Sequence, residues 1–219
     1  MNASEVNRLL AGEYGDRPWR QHHDPLSELV ATILSQNTSD VNSGRAFGSL
    51  LSAFGNWERV ANADIEDIER AIRSGGLARI KAVRIKVILG KILEERGSLD
   101  LAFLDSLPIE DAKSWLRRLP GVGPKTAGCV LLFSLGKPAL PVDTHVYRVA
   151  MRAGLIPDKV SVEQAHQLLE NMVVPEDIYQ FHMNMVEHGR KVCKSQRPKC
   201  SICVLRGVCV WKGSDSKDW

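Results

Sequence analysis

Apolar residues recur at helical spacing along almost the whole chain, while period-two runs rich in Val, Ile and Thr are nearly absent. A chain patterned in this way has little with which to build a sheet, so the expected fold is all-α. One helix start is especially legible. Asp24 is placed to cap, Pro25 suits the first helical position, and Leu26, Leu29, Val30, Ile33 and Leu34 form an apolar stripe that runs out near 35–38. Similar amphipathic stretches fall at about 40–54, 64–73, 81–95, 110–119, 124–135, 144–153, 162–172 and 176–192. A glycine and two prolines interrupt the pattern over 135–141, which is the expected crossing between two helical lobes. The polar tail 212–219 is expected to fray.

No stretch approaches the roughly 20 apolar residues of a membrane span, and the first residues lack a signal-peptide pattern. With 44% hydrophobic and 25% charged residues, the chain reads as a soluble cytosolic globular protein rather than a disordered one. A net charge of +3 does not by itself announce a nucleic-acid partner, so the distribution of charge matters more than its sum.

Four of the five cysteines lie within seventeen residues, as Cys193-x6-Cys200-x2-Cys203-x5-Cys209. A reduced cytosolic set of this density suits metal better than disulfides. Four thiolates bind either zinc or an iron–sulfur cubane, and the spacing does not choose between them. Cys129 stands apart on an apolar stretch and reads as a small buried hydrophobe. Arg190, Lys191, Lys194, Arg197, Lys199 and Arg206 surround the four cysteines with no acidic residue among them. Such a loop either follows a phosphate backbone or keeps a metal loop soluble.

The run LPGVGPKTA over 119–127 joins two amphipathic stretches. Gly121 and Gly123 permit a tight hairpin with exposed backbone, and the helix start that follows offers unpaired N–H groups. The run is either a phosphate cradle or a plain helix–helix connection. Lys125 falls in the first turn of the second helix, where the dipole disfavours a cation and eases loss of a proton. A lysine so placed suits Schiff-base chemistry. Asp143, at the opening of the next helix, reads first as an N-cap, and a carboxylate fixed there is also compatible with catalysis.

Together these segments resemble the endonuclease III family of helix-hairpin-helix DNA glycosylases. The likeness spans nearly the whole chain: 34–40, Gly76-Leu77 with Lys81-Ala82, LPGVGPKTA, VDTHVYRV, and HGRKVC running into the cysteine loop. It implies two all-α lobes flanking a DNA-binding cleft. Residues 18–137 would form a six-helix lobe with the hairpin; 1–17 and 138–219 would join the N-terminal helix to the C-terminal helices and cluster loop. It also implies that Cys193, Cys200, Cys203 and Cys209 hold a 4Fe-4S cluster. The family extrudes its target nucleotide from the duplex, because the glycosidic carbon is inaccessible in the stack. Lys125 would attack that carbon while Asp143 assists its deprotonation, and the resulting Schiff base permits β-elimination on the 3′ side of the lesion.

Leu77 matches the family's apolar wedge. At the other gap-filling position the family commonly carries glutamine, whereas here ungapped matching places Asn37, with Gln36 one residue earlier. Gly121, Gly123, Lys194, Arg197 and Lys199 complete the implied DNA contacts. Arg79, Lys81, Arg84 and Lys86 follow Leu77 and either reach phosphates or form a solvated helix face. His145 reads as a packing residue.

The resulting expectation is a monomeric glycosylase and abasic-site lyase for damaged, oxidised pyrimidines in duplex DNA, cytoplasmic and nucleoid-associated in a prokaryote. The stretches LSQNTSD and FHMNMVEHGRKVCKSQRPKC also look like the plant 5-methylcytosine-excising branch, which makes 5-methylcytosine or mismatched thymine or uracil the second substrate class. That branch carries long flanking domains for which this chain has no room. A catalytically silent Fe-S DNA-binding protein is the alternative of another class.

Overall fold

The structure is a computed structural model that describes residues 2–211, so the tail expected to fray lies outside the described residues. Helices are α1 (Ala3–Tyr14), α2 (Pro25–Ser35), α3 (Asp40–Phe54), α4 (Trp57–Asn62), α5 (Ile65–Ala71), α6 (Ala78–Arg96), α7 (Ile109–Arg117), α8 (Pro124–Leu135), α9 (Thr144–Arg152), α10 (Val162–Met172) and α11 (Ile178–Lys191). Short 3-10 turns fill several connections, and the described residues contain no strand. The all-α expectation holds. None of the described helices is long and apolar enough to cross a membrane.

The chain forms two compact units, Gln21–Lys137 and Met1–Arg20 with Pro138–Trp219. In the first, α2 and α8 pack together along their length. Both are buried on nearly every face: Leu29, Val30 and Ile33 of α2 and Val130 and Leu131 of α8 are fully excluded from solvent. Helices apolar on all sides belong at the centre of a bundle, and α3, α6 and α7 cover them. Asp24 caps α2 as its sequence suggests, accepting from the amides of Leu26 at 3.1 Å and Ser27 at 3.0 Å. Such a cap contributes about 1 kcal/mol.

In the second unit α11 packs against α1 and α9. Phe181 and Met185 of α11 meet Val6 and Leu10 of α1 and Val146 and Val149 of α9 in a small apolar core. Tyr14 Oη bonds His188 Nδ1 at 2.9 Å, and Arg17 pairs with Glu187, fastening the N-terminal segment to α11.

Candidate functional site

The hairpin joins α7 to α8. Val122 is buried and its amide donates to Leu119 O at 3.1 Å, closing the turn. Gly121 has φ +76°, and a Cβ there would fall 2.5 Å from Arg84 Nε. Positive φ and the arginine lying across the turn together require glycine. Gly123 caps α8 with extended backbone, Pro124 takes the first helical position, and Lys125 follows in the first turn, as the sequence indicates.

Lys125 lines a cavity of about 390 Å³, a size typical of small-molecule pockets. One wall is α8, with Lys125, Cys129 and Phe133; another is α2, with Glu28, Ala31, Thr32 and Ser35; α3 adds Asp40, Ser43, Gly44 and Phe47. Cys129 is buried, as expected for a small hydrophobe, and forms part of the cavity wall. The His22 ring lies flat on Phe133, with centroids 4.7 Å apart and planes 4° from parallel. Burial pushes the Glu28 carboxyl from 4.5 to about 7, although Thr32 and the Lys125 ammonium pull it the other way.

Two turns in this unit carry non-glycine residues in left-handed backbone, Asn37 at φ +54° and Leu77 at φ +50°. Leu77 is 52% exposed, so it is not a core leucine. Asn37 is exposed on the turn that ends α2, and Gln36 lies half-buried beside it. Left-handed leucine is uncommon and persists only where its surroundings enforce it. Lys81 braces both turns: it is 2% exposed, and its Nζ donates to Leu34 O at 2.7 Å and Gly75 O at 2.8 Å. One ammonium thus ties the two turns together. Arg84 Nη1 adds a bond to Gln36 Oε1 at 2.6 Å while its guanidinium covers Gly121.

Among the basic residues after Leu77, these contacts correct both expectations for Lys81. Lys81 is neither a phosphate ligand nor part of a solvated face, because its ammonium is buried and donates to two backbone carbonyls in the interior. Arg79 is exposed and pairs with Glu66 and Glu69, as a solvated helix face would have it, and Lys86 bonds Ala63 O.

In the other unit Asp143 caps α9, accepting at 2.8 Å from the amides of His145 and Val146. Both use Oδ1, so capping engages one carboxylate oxygen. The run into Asp143 is held by three side chains. Glu170 accepts from Leu140 N at 2.7 Å, His166 Nε2 accepts from Val142 N at 3.0 Å, and His182 Nδ1 donates to Pro141 O at 2.9 Å. Lys125 and Asp143 therefore stand in different units.

The same helix α9 fastens the cysteine loop. Arg148 donates to Gly189 O and Cys193 O at 2.9 and 2.8 Å, and Arg152 to Lys194 O and Ser195 O at 2.7 and 3.1 Å. Gly189 is required where α9 and α11 meet, since a Cβ would lie 2.8 Å from His145 Cβ. His145 packs there as expected and bonds Arg148 through Nδ1 at 3.0 Å. Sequence reasoning missed Arg148 and Arg152; their i, i+4 spacing on a helix leading away from Asp143 was the available signal.

Cys193, Cys203 and Cys209 are half-buried and Cys200 is exposed. Burial, reinforced by the other three thiols, pushes the Cys203 thiol up to about 11 and raises Cys209 as well. Cys193 Sγ accepts from Arg152 Nη1 at 3.5 Å, Cys203 Sγ meets His188 Nε2 at 3.4 Å, and Cys209 Sγ donates to Arg152 O at 3.1 Å. Among the described residues no three donors are grouped tightly enough for a single metal ion. Four thiols on one loop, two of them raised by burial and by their fellow thiols, are the donor set that either a zinc ion or an iron–sulfur cluster takes. Lys194 and Lys199 line a concavity with Arg190 and Lys191, while Arg197 lies exposed on the turn between them at φ +48°.

A glycine hairpin delivers a lysine to a cavity in an all-helical unit. Residues 30–175 match the model of the HhH-GPD superfamily of base excision DNA repair proteins. The chain belongs to this superfamily, and to its endonuclease III branch of DNA glycosylases and abasic-site lyases. It is 36% identical to endonuclease III of Thermotoga maritima over 203 residues, covering 91% of this chain and 90% of the relative. It is 42% identical to a putative DNA glycosylase of Arabidopsis thaliana, At3g47830, over 182 residues; the match takes in 81% of this chain and 62% of that longer protein. Among solved structures, a trapped endonuclease III–DNA covalent intermediate superposes with a TM-score of 0.82 at 29% identity over 96% of both chains.

Proposed function

We propose that this protein removes damaged, oxidised pyrimidines from duplex DNA and cleaves the resulting abasic site, with Lys125 as nucleophile and Asp143 as its carboxylate partner. The observation that carries the reading is Lys125 in the first turn of α8, facing a cavity with stacked aromatic and polar walls. The extruded nucleotide brings its base into that cavity. Lys125 Nζ forms a bond to C1′ as the C1′–N bond breaks and its electron pair leaves with the base. Loss of a proton from the new C–N linkage and ring opening give an imine; removal of a C2′ proton then expels the 3′ phosphate. Asp143 accepts the lysine proton and offsets positive charge developing on the sugar.

Leu77 and Asn37, held by Lys81, enter the gap in the duplex, with Gln36 beside them. Gly121 and Gly123 present backbone to phosphate, and Lys194, Arg197 and Lys199 contact the backbone elsewhere. Cys193, Cys200, Cys203 and Cys209 would hold a 4Fe-4S cluster that fixes the cationic loop. The partner is double-stranded DNA and the protein acts as a monomer.

The test is strand cleavage of duplexes carrying thymine glycol, uracil or thymine opposite guanine, 5-methylcytosine, or an abasic site. Cleavage of the thymine glycol and abasic duplexes is expected. Cleavage of only 5-methylcytosine or mismatched duplexes would replace the substrate class, and tight binding without cleavage would make this a silent DNA-binding protein.

A further inference from the structure

Glu28 is used by nothing in that mechanism, yet it is the buried acid of the Lys125 cavity. It lies one and two turns before Thr32 and Ser35 on the α2 wall and is 7% exposed. Thr32 Oγ1 donates to its Oε1 over a long 3.4 Å, a weak bond by geometry. The His22–Phe133 stack supplies a flat aromatic surface to the same cavity, and Phe47 supplies another ring. Aromatic surfaces with a buried polar group beside them suit a pyrimidine-derived ring whose edge carries hydrogen-bonding atoms.

We infer that the Glu28 carboxyl, in its neutral form, is the specificity-determining group that reads the hydrogen-bonding edge of the extruded pyrimidine. This inference rests on the glycosylase reading above. A carboxylic acid presents an O–H donor beside a C=O acceptor. Thymine- and uracil-like edges offer N–H beside C=O, and a cytosine edge offers a ring nitrogen acceptor beside an amino donor. Either forms two hydrogen bonds with the acid, one donated and one accepted. A carboxylate has two acceptors and no donor, so it pairs badly with both. Burial, which raises the Glu28 pKa to about 7, keeps the matching form populated at neutral pH. Apart from Glu28, the charged and titratable groups near the site are Lys125 and Cys129 on α8, Asp40 on α3, and His22, His23 and Asp24 on the segment that enters α2.

The experiment compares Glu28, Glu28→Gln and Glu28→Leu proteins in single-turnover cleavage of thymine glycol, uracil·guanine and abasic duplexes from pH 6 to 8. An abasic site has no base to read, so it is the internal reference. Glu28→Leu is expected to lose about 10- to 100-fold more rate on base-bearing duplexes than on abasic DNA. Glutamine also presents an N–H donor beside a C=O acceptor, so Glu28→Gln should restore most of that difference. The ratio of native to Glu28→Gln rates on base-bearing DNA should fall about tenfold between pH 6 and 8, because the other titrating groups are common to both proteins. Equal losses on both kinds of duplex, or a flat ratio across pH, would overturn the inference. A native protein that cuts abasic DNA but neither pyrimidine duplex would overturn it while leaving the lyase intact. Failure on abasic DNA as well would overturn the glycosylase–lyase reading and this inference with it.

Discussion

Lys81 and Glu28 are both buried in the unit formed by Gln21–Lys137, yet their surroundings differ in kind. Lys81 Nζ meets two backbone carbonyls at ordinary hydrogen-bond lengths and joins two turns whose left-handed residues need support. Glu28 faces a cavity and receives one long bond from Thr32. A buried charge bonded to backbone carbonyls organises structure; a buried acid turned toward open space is placed for something that arrives later.

The largest effect expected from breaking this arrangement is chemical. Lys125→Gln should lower strand cleavage at least about 10³-fold while DNA binding, measured by fluorescence anisotropy, is largely kept. Asp143→Asn sharpens the point, because asparagine caps helices nearly as well as aspartate. The melting temperature should hold while cleavage falls about 10- to 100-fold; an unchanged cleavage rate would reduce Asp143 to its capping role.

Lys81→Met tests the structural half of the comparison. It keeps the chain length but leaves two buried carbonyls unpaired, at a cost of about 2–5 kcal/mol in urea denaturation. Glu28→Gln should do the opposite at alkaline pH. The folded state binds the Glu28 proton more tightly than the unfolded chain, so its stability is fully present below about 4.5 and is lost as pH rises through about 7. The glutamine variant escapes that loss and should be about 2–3 kcal/mol more stable than the native protein at pH 8, with no gain at pH 4. A smaller effect is expected from Gly121→Ala, about 1–2 kcal/mol, from strain at φ +76° and displacement of Arg84.

The helical framework was legible because amphipathic periodicity and caps such as Asp24 and Asp143 are local properties of sequence. Helix α4, six residues long, escaped because one and a half turns are too few to display a period. The hairpin and the position of Lys125 followed from the glycines and prolines around them. Lys81 was misread because its partners are the carbonyls of Leu34 and Gly75, and a carbonyl has no letter in the sequence. Glu28 was passed over for a related reason. Its neighbours Leu29 and Val30 mark a core helix, but the cavity exists only once α8 and α3 are packed against that helix.

The most direct measurement is borohydride reduction of the protein on an abasic duplex, followed by mass mapping of the cross-linked peptide. The expected result is a stable protein–DNA adduct on Lys125 that disappears in Lys125→Gln. An adduct on another residue, or none from protein that binds the duplex, would contradict Lys125 as the nucleophile.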